Sequence, residues 1–427
     1  MEQRKYDKCV EVLKKELVPA LGCTEPIAIA FAAARASQIL GCQPERLEAV
    51  CSGNIIKNVM GVIVPNSGQH KGVDVAATLG AVAGNADANL NVLEGVTEED
   101  IEKCMELVEA GFCQCKLAEG VDNLYILIKA YSGEQSAEVT LSETHTNIVR
   151  EVKNGQVLME KTVTKAEEED LSDYVTVSDI LEFADCLKPE DVSEVFDLQI
   201  ECNTAISREG MKNLYGANIG KTLIKRGNAD FPSRVKGKVA AGSDARMNGC
   251  SMPVVINSGS GNQGLAVSLP VIEYANENEI PRETLYRGLA VSNLISLYSK
   301  KKIGSLSAFC GAATAAAASG AGIAYLKGWQ EDQIDQVIES TLVNVGGLIC
   351  DGAKSTCAAK LATALDAMLL ATEMLEEGYH FGENEGLMGK TTEETISNVC
   401  FVGKNGMSET DLNVLKIMTG EINTTEK

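Results

Sequence analysis

Residues 125–164 read YILIKAYSGEQSAEVTLSETHTNIVREVKNGQVLMEKTVT. Tyr125 to Tyr131 and Glu138 to Leu141 flank the turn residues Ser132-Gly133-Glu134, and Asn147 to Lys153 and Gln156 to Thr164 flank Asn154-Gly155. Alternating apolar and polar side chains put one face of a strand on a core and the other in water, so each pair predicts a β-hairpin. Upstream, Leu47 to Val64 carries β-branched pairs interrupted by Gly53-Asn54 and Gly61. Earlier still, Gly22-Cys23-Thr24-Glu25-Pro26 precedes the Ala-rich run Ile27 to Ser37; Thr followed closely by Pro fits a helix N-terminus, which places Cys23 just ahead of it. Together these segments predict a small α/β domain with a partly antiparallel sheet.

After about residue 170 the alternation almost disappears. The acidic run Glu167 to Asp170 reads as a solvated linker. Helical segments then follow one another at Val177–Leu187, Val192–Glu209, Asn213–Lys225, Pro281–Lys300, Trp329–Leu348 and Lys354–Glu377. The expected fold class is therefore α+β, with a small α/β domain at 1–170 and a larger all-α domain at 171–427. No fixed-period repeat points to a solenoid.

A chain of 427 residues exceeds one ordinary core, and 45% hydrophobic with 23% charged residues marks a globular protein. The balance of 38 basic against 60 acidic residues, a net charge of -22, argues against binding nucleic acid or an anionic bilayer. The first residues lack the apolar run of a signal peptide, so a cytoplasmic location is expected. The stretch Leu306 to Leu326 is Ala- and Gly-rich and reads as a buried hairpin or one tightly packed helix, not a membrane span. Fourteen Cys without a secretion signal point to free thiols, metal ligation or redox chemistry. Three His leave little material for a His-dominated site.

Three cysteines stand out by context: Cys310 in SAFCGA, Cys350 in GGLICDG and Cys357 in KSTCA, spaced by 40 and 7 residues. Cys350 falls where a helix ends at Asp351-Gly352, and Cys357 falls in the first turn of the next, with Ser355 as its cap. A helix N-terminus favours the thiolate, which makes Cys357 the best-placed metal ligand. Three thiolates on a cubane cluster leave one iron open, a Lewis acid for a substrate hydroxyl or thiol. The same residues also suit small core positions, because neither C-x-x-C nor the ferredoxin run is present.

Asn257-Ser258-Gly259-Ser260-Gly261-Asn262-Gln263-Gly264 follows an apolar run and offers backbone amides for a carboxylate or phosphate, or serves as an ordinary turn. It is similar to the substrate-carboxylate loop of pyridoxal-phosphate lyases of the tryptophan synthase β type, but the alternating α/β context of those enzymes is missing. Cys23, with Glu25 nearby, is a candidate base or a buried residue beside a cap. His145, Cys113-Gln114-Cys115 and Lys300-Lys301-Lys302 are weaker features, read as a structural His, a poor metal hook and a solvated helix end.

In combination, GCTEP at 22–26, NSGSGNQG at 257–264, and the contexts of Cys310, Cys350 and Cys357 resemble the L-cysteine desulfidase family, related to the iron–sulfur L-serine dehydratases. The resemblance covers nearly the whole chain, and LICDGAKSTCA at 348–358 with FCGA at 309–312 is its most specific part. It implies a [4Fe–4S] cluster on Cys310, Cys350 and Cys357, no pyridoxal phosphate, and elimination of sulfide from L-cysteine to give pyruvate and ammonia. It further implies that the 257–264 loop anchors a small amino-acid substrate and that Cys23 approaches the cluster as the base. The two domains would match the β and α domains of serine dehydratases, and the protein would be a homodimer. The ending INTTEK at 422–427 lacks the terminal cysteine that caps the open iron in some serine dehydratases. L-Serine dehydration and a non-catalytic iron–sulfur redox sensor are the alternatives.

Overall fold

The two hairpins become the centre of one sheet in the structure, a computed structural model that describes residues 1–161, 171–226, 228–304 and 307–422. In chain order the first part holds α1 (Gln3–Glu16), β1 (Pro19–Leu21), α2 (Thr24–Leu40), β2 (Arg46–Ser52), α3 (Gly53–Val59), α4 (Val73–Ala83) and α5 (Glu98–Glu109). Strands β3 (Cys113–Ala118), β4 (Tyr125–Ser132), β5 (Gln135–Ser142), β6 (Ile148–Lys153) and β7 (Gln156–Glu160) complete it. The sheet order is β3-β2-β4-β5-β6-β7; β2 and β3 are parallel and every other pair is antiparallel.

Register explains the core. Cys51, Ile126 and Leu141 lie opposite one another, as do Ala49, Ile128 and Val139, and Leu47, Ala130 and Ala137. All nine are buried under α2 and α4, while the alternate residues Tyr125, Leu127 and Lys129 are only half-buried. The stretch 47–64 departs from the strand-like reading after Ser52: the chain turns into α3, with the Ser52 hydroxyl accepting from Ile55 N at 3.4 Å, so Gly53 opens a helix there. The reading of 156–164 ends in β7 at Glu160; its last residues and the acidic run 167–170 lie outside the described residues.

The helical part comprises α6 (Val177–Cys186), α7 (Pro189–Lys212), α8 (Ile219–Arg226), α9 (Phe231–Met247), the short β8 (Pro253–Val255), α10 (Gly261–Glu277), α11 (Arg282–Ile303), α12 (Ala312–Leu326), α13 (Glu331–Val345), α14 (Thr356–Glu376), α15 (Thr392–Phe401) and α16 (Ser408–Met418). The α+β class holds. Helices α9 and α10 were not evident from periodicity, because both are buried nearly all round and α10 carries Pro270. Helix α12 lies at the centre, packed against α10, α11, α13 and α14, with residues 312–324 all buried, so the Ala-rich stretch forms one tightly packed helix. None of the described helices is long and apolar enough to cross a membrane.

The division at residue 170 orders the chain more than the packing. Tyr6, Cys9, Leu13 and Leu17, spaced along one face from α1 onward, belong to the helical core, and β1 pairs with β8. Conversely Leu415 of α16 belongs to the small core, where it lies against the Cα of Gly53.

Helices α2 and α4 approach closely in the small domain. A Cβ on Gly80 would sit 2.5 Å from Ala30 Cα. Gly80→Val is therefore expected to lower unfolding stability by about 1–3 kcal/mol or more; denaturant titration against wild type measures it.

Candidate active site

Two loops carry the first pair of thiols. Residues 308–310 and 348–350 run antiparallel, with Phe309 bridged to Ile349, Cys310 N donating to Leu348 O at 2.9 Å and Cys350 N donating to Ala308 O at 2.6 Å. This short ladder sets Cys310 beside Cys350, and their thiols share a hydrogen bond. Cys357 stands in the first turn of α14, its sulfur 3.7 Å from Gly352 O. All three border one cavity of about 140 Å³ and are half-buried, unlike the core thiols Cys9, Cys51 and Cys104.

The small domain supplies the opposite wall: Cys23 and Glu25 from the start of α2, and Asn54, Lys57 and Asn58 from α3. Contact between the walls is close. Gly352, at φ +91°, lies so near α3 that a Cβ would sit 2.8 Å from the Lys57 carbonyl carbon. Cys23 packs with Val62 of its own domain and Met247 of the other, with Ala353 and Cys357 against them.

Of the 257–264 loop, Ser258, Gly259, Ser260 and Asn262 border the cavity, together with Gln263. Asn257, Gly261 and Gly264 do not. Asn257 is fully buried, donating to Asn293 Oδ1 at 3.0 Å and accepting from Ser296 Oγ at 2.9 Å, so it fixes the loop to α11. Gly261 leaves room for the Arg246 guanidinium, and Gly264 lies against Val255, where a Cβ would be 3.0 Å from the carbonyl carbon. The loop ends as the N-cap of α10, the Ser260 hydroxyl accepting from Gln263 N at 3.4 Å.

Four helices start at this cavity: α2 after Cys23, α10 after Ser260, α12 after Gly311, and α14 beside Cys357. Their amide ends favour negative charge. Even so, burial dominates the bare thiols. Burial raises the Cys357 thiol above its usual value against the pull of Lys354 and Lys360. Cys310 is raised well above its usual range by its hydrogen bond with Cys350 and by burial. The expected thiolate-favouring shift at Cys357 is thus reversed. Nor does Ser355 cap α14; its hydroxyl donates to Asn248 Oδ1 at 2.7 Å.

Cys23 is a buried thiol pushed well up by burial and by the Glu25 charge, with Arg246 opposing. Its sulfur donates to Glu25 Oε2 at 3.0 Å, and Asn58 Nδ2 donates to Oε1 at 3.3 Å. Burial works against the Glu25 charge, but His145, the Cys23 thiol, its own backbone amide and Arg246 outweigh it and hold the carboxyl below its ordinary value. Burial in turn lowers the His145 imidazole against the attraction of Glu25, which leaves the imidazole neutral at pH 7 and the thiol, amide and Arg246 to sustain the carboxylate there. The resting pair is thiol and carboxylate, and the Cys23 thiolate reading applies only once Glu25 takes the proton.

A family model described as serine dehydratase alpha chain matches residues 87–416. The chain belongs to the serine dehydratase alpha chain family. It is similar to a UPF0597 protein of Lachnoclostridium phytofermentans, 48% identical over 97% of this chain and 99% of the relative. A UPF0597 protein of Desulfitobacterium hafniense is 44% identical over 98% of both chains, and one of Fusobacterium nucleatum is 38% identical over 98% of this chain and all of the relative.

The serine dehydratase family is associated with iron–sulfur clusters, and the donor set here suits one. No three His, Cys, Asp or Glu side chains among the described residues are grouped to share a single ion. Cys310, Cys350 and Cys357 instead border a common space, as a cluster that takes each thiolate on a different iron requires. Among the described residues, which include all fourteen cysteines, there is no disulfide. The glycines beside the cysteines serve protein packing: Gly311 makes room for Gln263 and Gly352 for Lys57.

Sequence reading overlooked Asn54, Lys57, Asn58 and Arg246. Their one signal was a charge or amide inside an otherwise apolar or small-residue run, as in NIIKNVM at 54–60 and AAGSDARM at 240–247. Cys113 and Cys115 lie on the edge strand β3, and His145 acts on Glu25 from outside the cavity.

Because Glu25 is held below its ordinary 4.5, its charge stabilises the fold above the unfolded value, and that contribution disappears as pH falls through the lower folded value. Glu25→Gln is expected to lower stability at pH 7, and the gap from wild type to narrow below about pH 4.5. Denaturant unfolding across that range tests the sign.

Proposed function

We propose that this chain is an iron–sulfur-dependent, pyridoxal-phosphate-independent lyase that eliminates sulfide from L-cysteine. The observation that carries the reading is the meeting of Cys310, Cys350 and Cys357 with Cys23 and Glu25 in one cavity between two domains. Cys310, Cys350 and Cys357 would hold a [4Fe–4S] cluster. When bound, that cluster supplies an open iron, a Lewis acid for the substrate thiol or hydroxyl.

The chain's own residues supply the proton path. Glu25 Oε2, 3.0 Å from Cys23 Sγ, takes the thiol proton, and the sulfur takes the proton from the substrate Cα. The Cα–H electron pair becomes the Cα=Cβ bond as the Cβ–S bond breaks and sulfide leaves. The resulting aminoacrylate takes up water and yields pyruvate and ammonia. The Ser258–Asn262 segment and the start of α10 receive the polar end of the substrate, and the closely packed domain walls limit water around the reacting carbon.

L-Serine is the second reading, favoured by the description of the family itself. The motifs at 22–26, 257–264 and 348–358 favour L-cysteine. Protein purified without oxygen is expected to carry about four irons per chain and to release sulfide and pyruvate in equal amounts from L-cysteine, faster than pyruvate from L-serine. Faster turnover of L-serine would exchange the two readings. Iron without turnover of either amino acid would leave a non-catalytic cluster protein of the sensor kind.

Two sets of variants separate the parts. Cys310→Ser, Cys350→Ser or Cys357→Ser should each remove both visible absorbance and turnover; retention of both would sink the cluster assignment. Cys23→Ser should keep the absorbance and lose about 10²–10⁴-fold in kcat, measured by anaerobic sulfide release.

A further inference from the structure

Arg246 ends α9 with 6% of its surface exposed, and it borders the cavity. Its Nε has no partner, and its guanidinium makes no hydrogen bond or ion pair among the described residues. The other cations at the interface are matched: Lys57 pairs with Asp411, and Lys354 and Lys360 with Asp351. The negative charge that acts on Arg246 from nearby is Glu25, whose oxygens are engaged by Cys23, Thr24 and Asn58. A buried guanidinium without a partner is costly, and its planar fork matches a carboxylate.

On the same cavity, Asn262 Oδ1, Gln263 Oε1 and Asn54 Oδ1 are buried acceptors without a donor among the described residues. Buried polar atoms are ordinarily paired, so an unmatched donor group and three unmatched acceptors in one space describe the complement of what belongs there. An α-amino acid zwitterion supplies both, a carboxylate for the guanidinium and an ammonium for the amide oxygens.

We propose that Arg246 is the carboxylate anchor of this site, and that Asn262 and Gln263 accept from the substrate ammonium. This rests on the lyase reading and assigns the recognition to Arg246 in place of the backbone amides of the 257–264 loop. Gly261 has a defined part in it: a Cβ there would sit 2.8 Å from Arg246 Cζ, so the glycine seats the guanidinium.

L-Alanine is the probe, because it has both charged groups and no leaving group. Calorimetric binding to the full-length protein purified without oxygen is expected for L-alanine, with L-alaninamide, L-lactate and sulfate each at least about 10-fold weaker. Arg246→Gln should bring L-alanine down to the level of L-alaninamide and raise KM for the turned-over amino acid on the order of 100-fold, with visible absorbance unchanged. Arg246→Lys, which keeps the charge without the fork, should recover part of the affinity.

Equal binding of L-alanine by wild type and Arg246→Gln would overturn the assignment. So would equal affinity of wild type for L-alanine and L-alaninamide, a comparison that requires no variant, or absence of L-alanine binding. Sulfate binding as tight as L-alanine would make the site a general oxyanion site and also overturn it. Arg246-dependent L-alanine binding without turnover of any amino acid would keep the anchor and remove the lyase; turnover with KM unmoved by Arg246→Gln would do the reverse.

Discussion

Positive electrostatics gathered in a buried space govern this molecule. Four helix N-termini and Arg246, which has no ion pair among the described residues, face one cavity in a chain whose formal net charge is -22. In low dielectric such an arrangement is unfavourable by itself and becomes favourable around an anion. The proposed cluster with its thiolates and the proposed substrate carboxylate are both anionic, so one constraint would account for the convergence of the cysteines and for an amino-acid site beside them. Burial sets the other half of the balance, raising the thiols of Cys310 and Cys357 against the charge that the helix ends favour.

Close backbone approach is how the chain brings these dipoles together. Helix α12 presents only Ala, Gly, Ser, Thr and Ile along its buried residues, which lets α10, α11, α13 and α14 pack around it and fixes its N-terminus at Gly311. Gly352 and Gly61 do the same between domains: a Cβ on Gly61 would sit 3.0 Å from Lys354 Cβ, on the loop that joins Cys350 to Cys357. The small residues of α12 and the glycines at 61 and 352 therefore serve close packing at the central helix and at the interface.

The sheet was legible because its rows are local: the pairing of Ile126 with Leu141 and Ile128 with Val139 lies within a two-strand hairpin whose turn residues announce it. The cysteine trio was legible by context, and its three members do border one space. Helices α9 and α10 were not, since a helix buried on every side has no periodic polar face to read. Arg246 escaped for a related reason. Burial of a charge depends on which helices surround it, and only the assembled fold shows that no carboxylate among the described residues pairs with it. Asn257 and Gly264 were read as binding residues because they share a motif with Ser258 and Asn262, yet in three dimensions they hold the loop that those residues present.

The positions of Cys23 and Lys57 follow from how the chain crosses between its two cores. Residues 1–21 pack with the helical core before the chain turns at Gly22, φ +55°, against Pro65 and enters the small domain, so Cys23 is the first residue past the crossing. At the other end α16 returns from the helical part to pack Leu415 into the small core and to pair Asp411 with Lys57. A chain that crosses an interface must place residues on it, and both crossings flank the cavity. Asp411 on Lys57 ties one domain to the other at a distance in sequence, and β1 on β8 holds the first crossing on the helical part, which opposes separation of the walls. The site thus has its two halves held by segments that supply its chemistry, and an opening wide enough to displace Cys23 from Met247 would have to break the packing of a chain end.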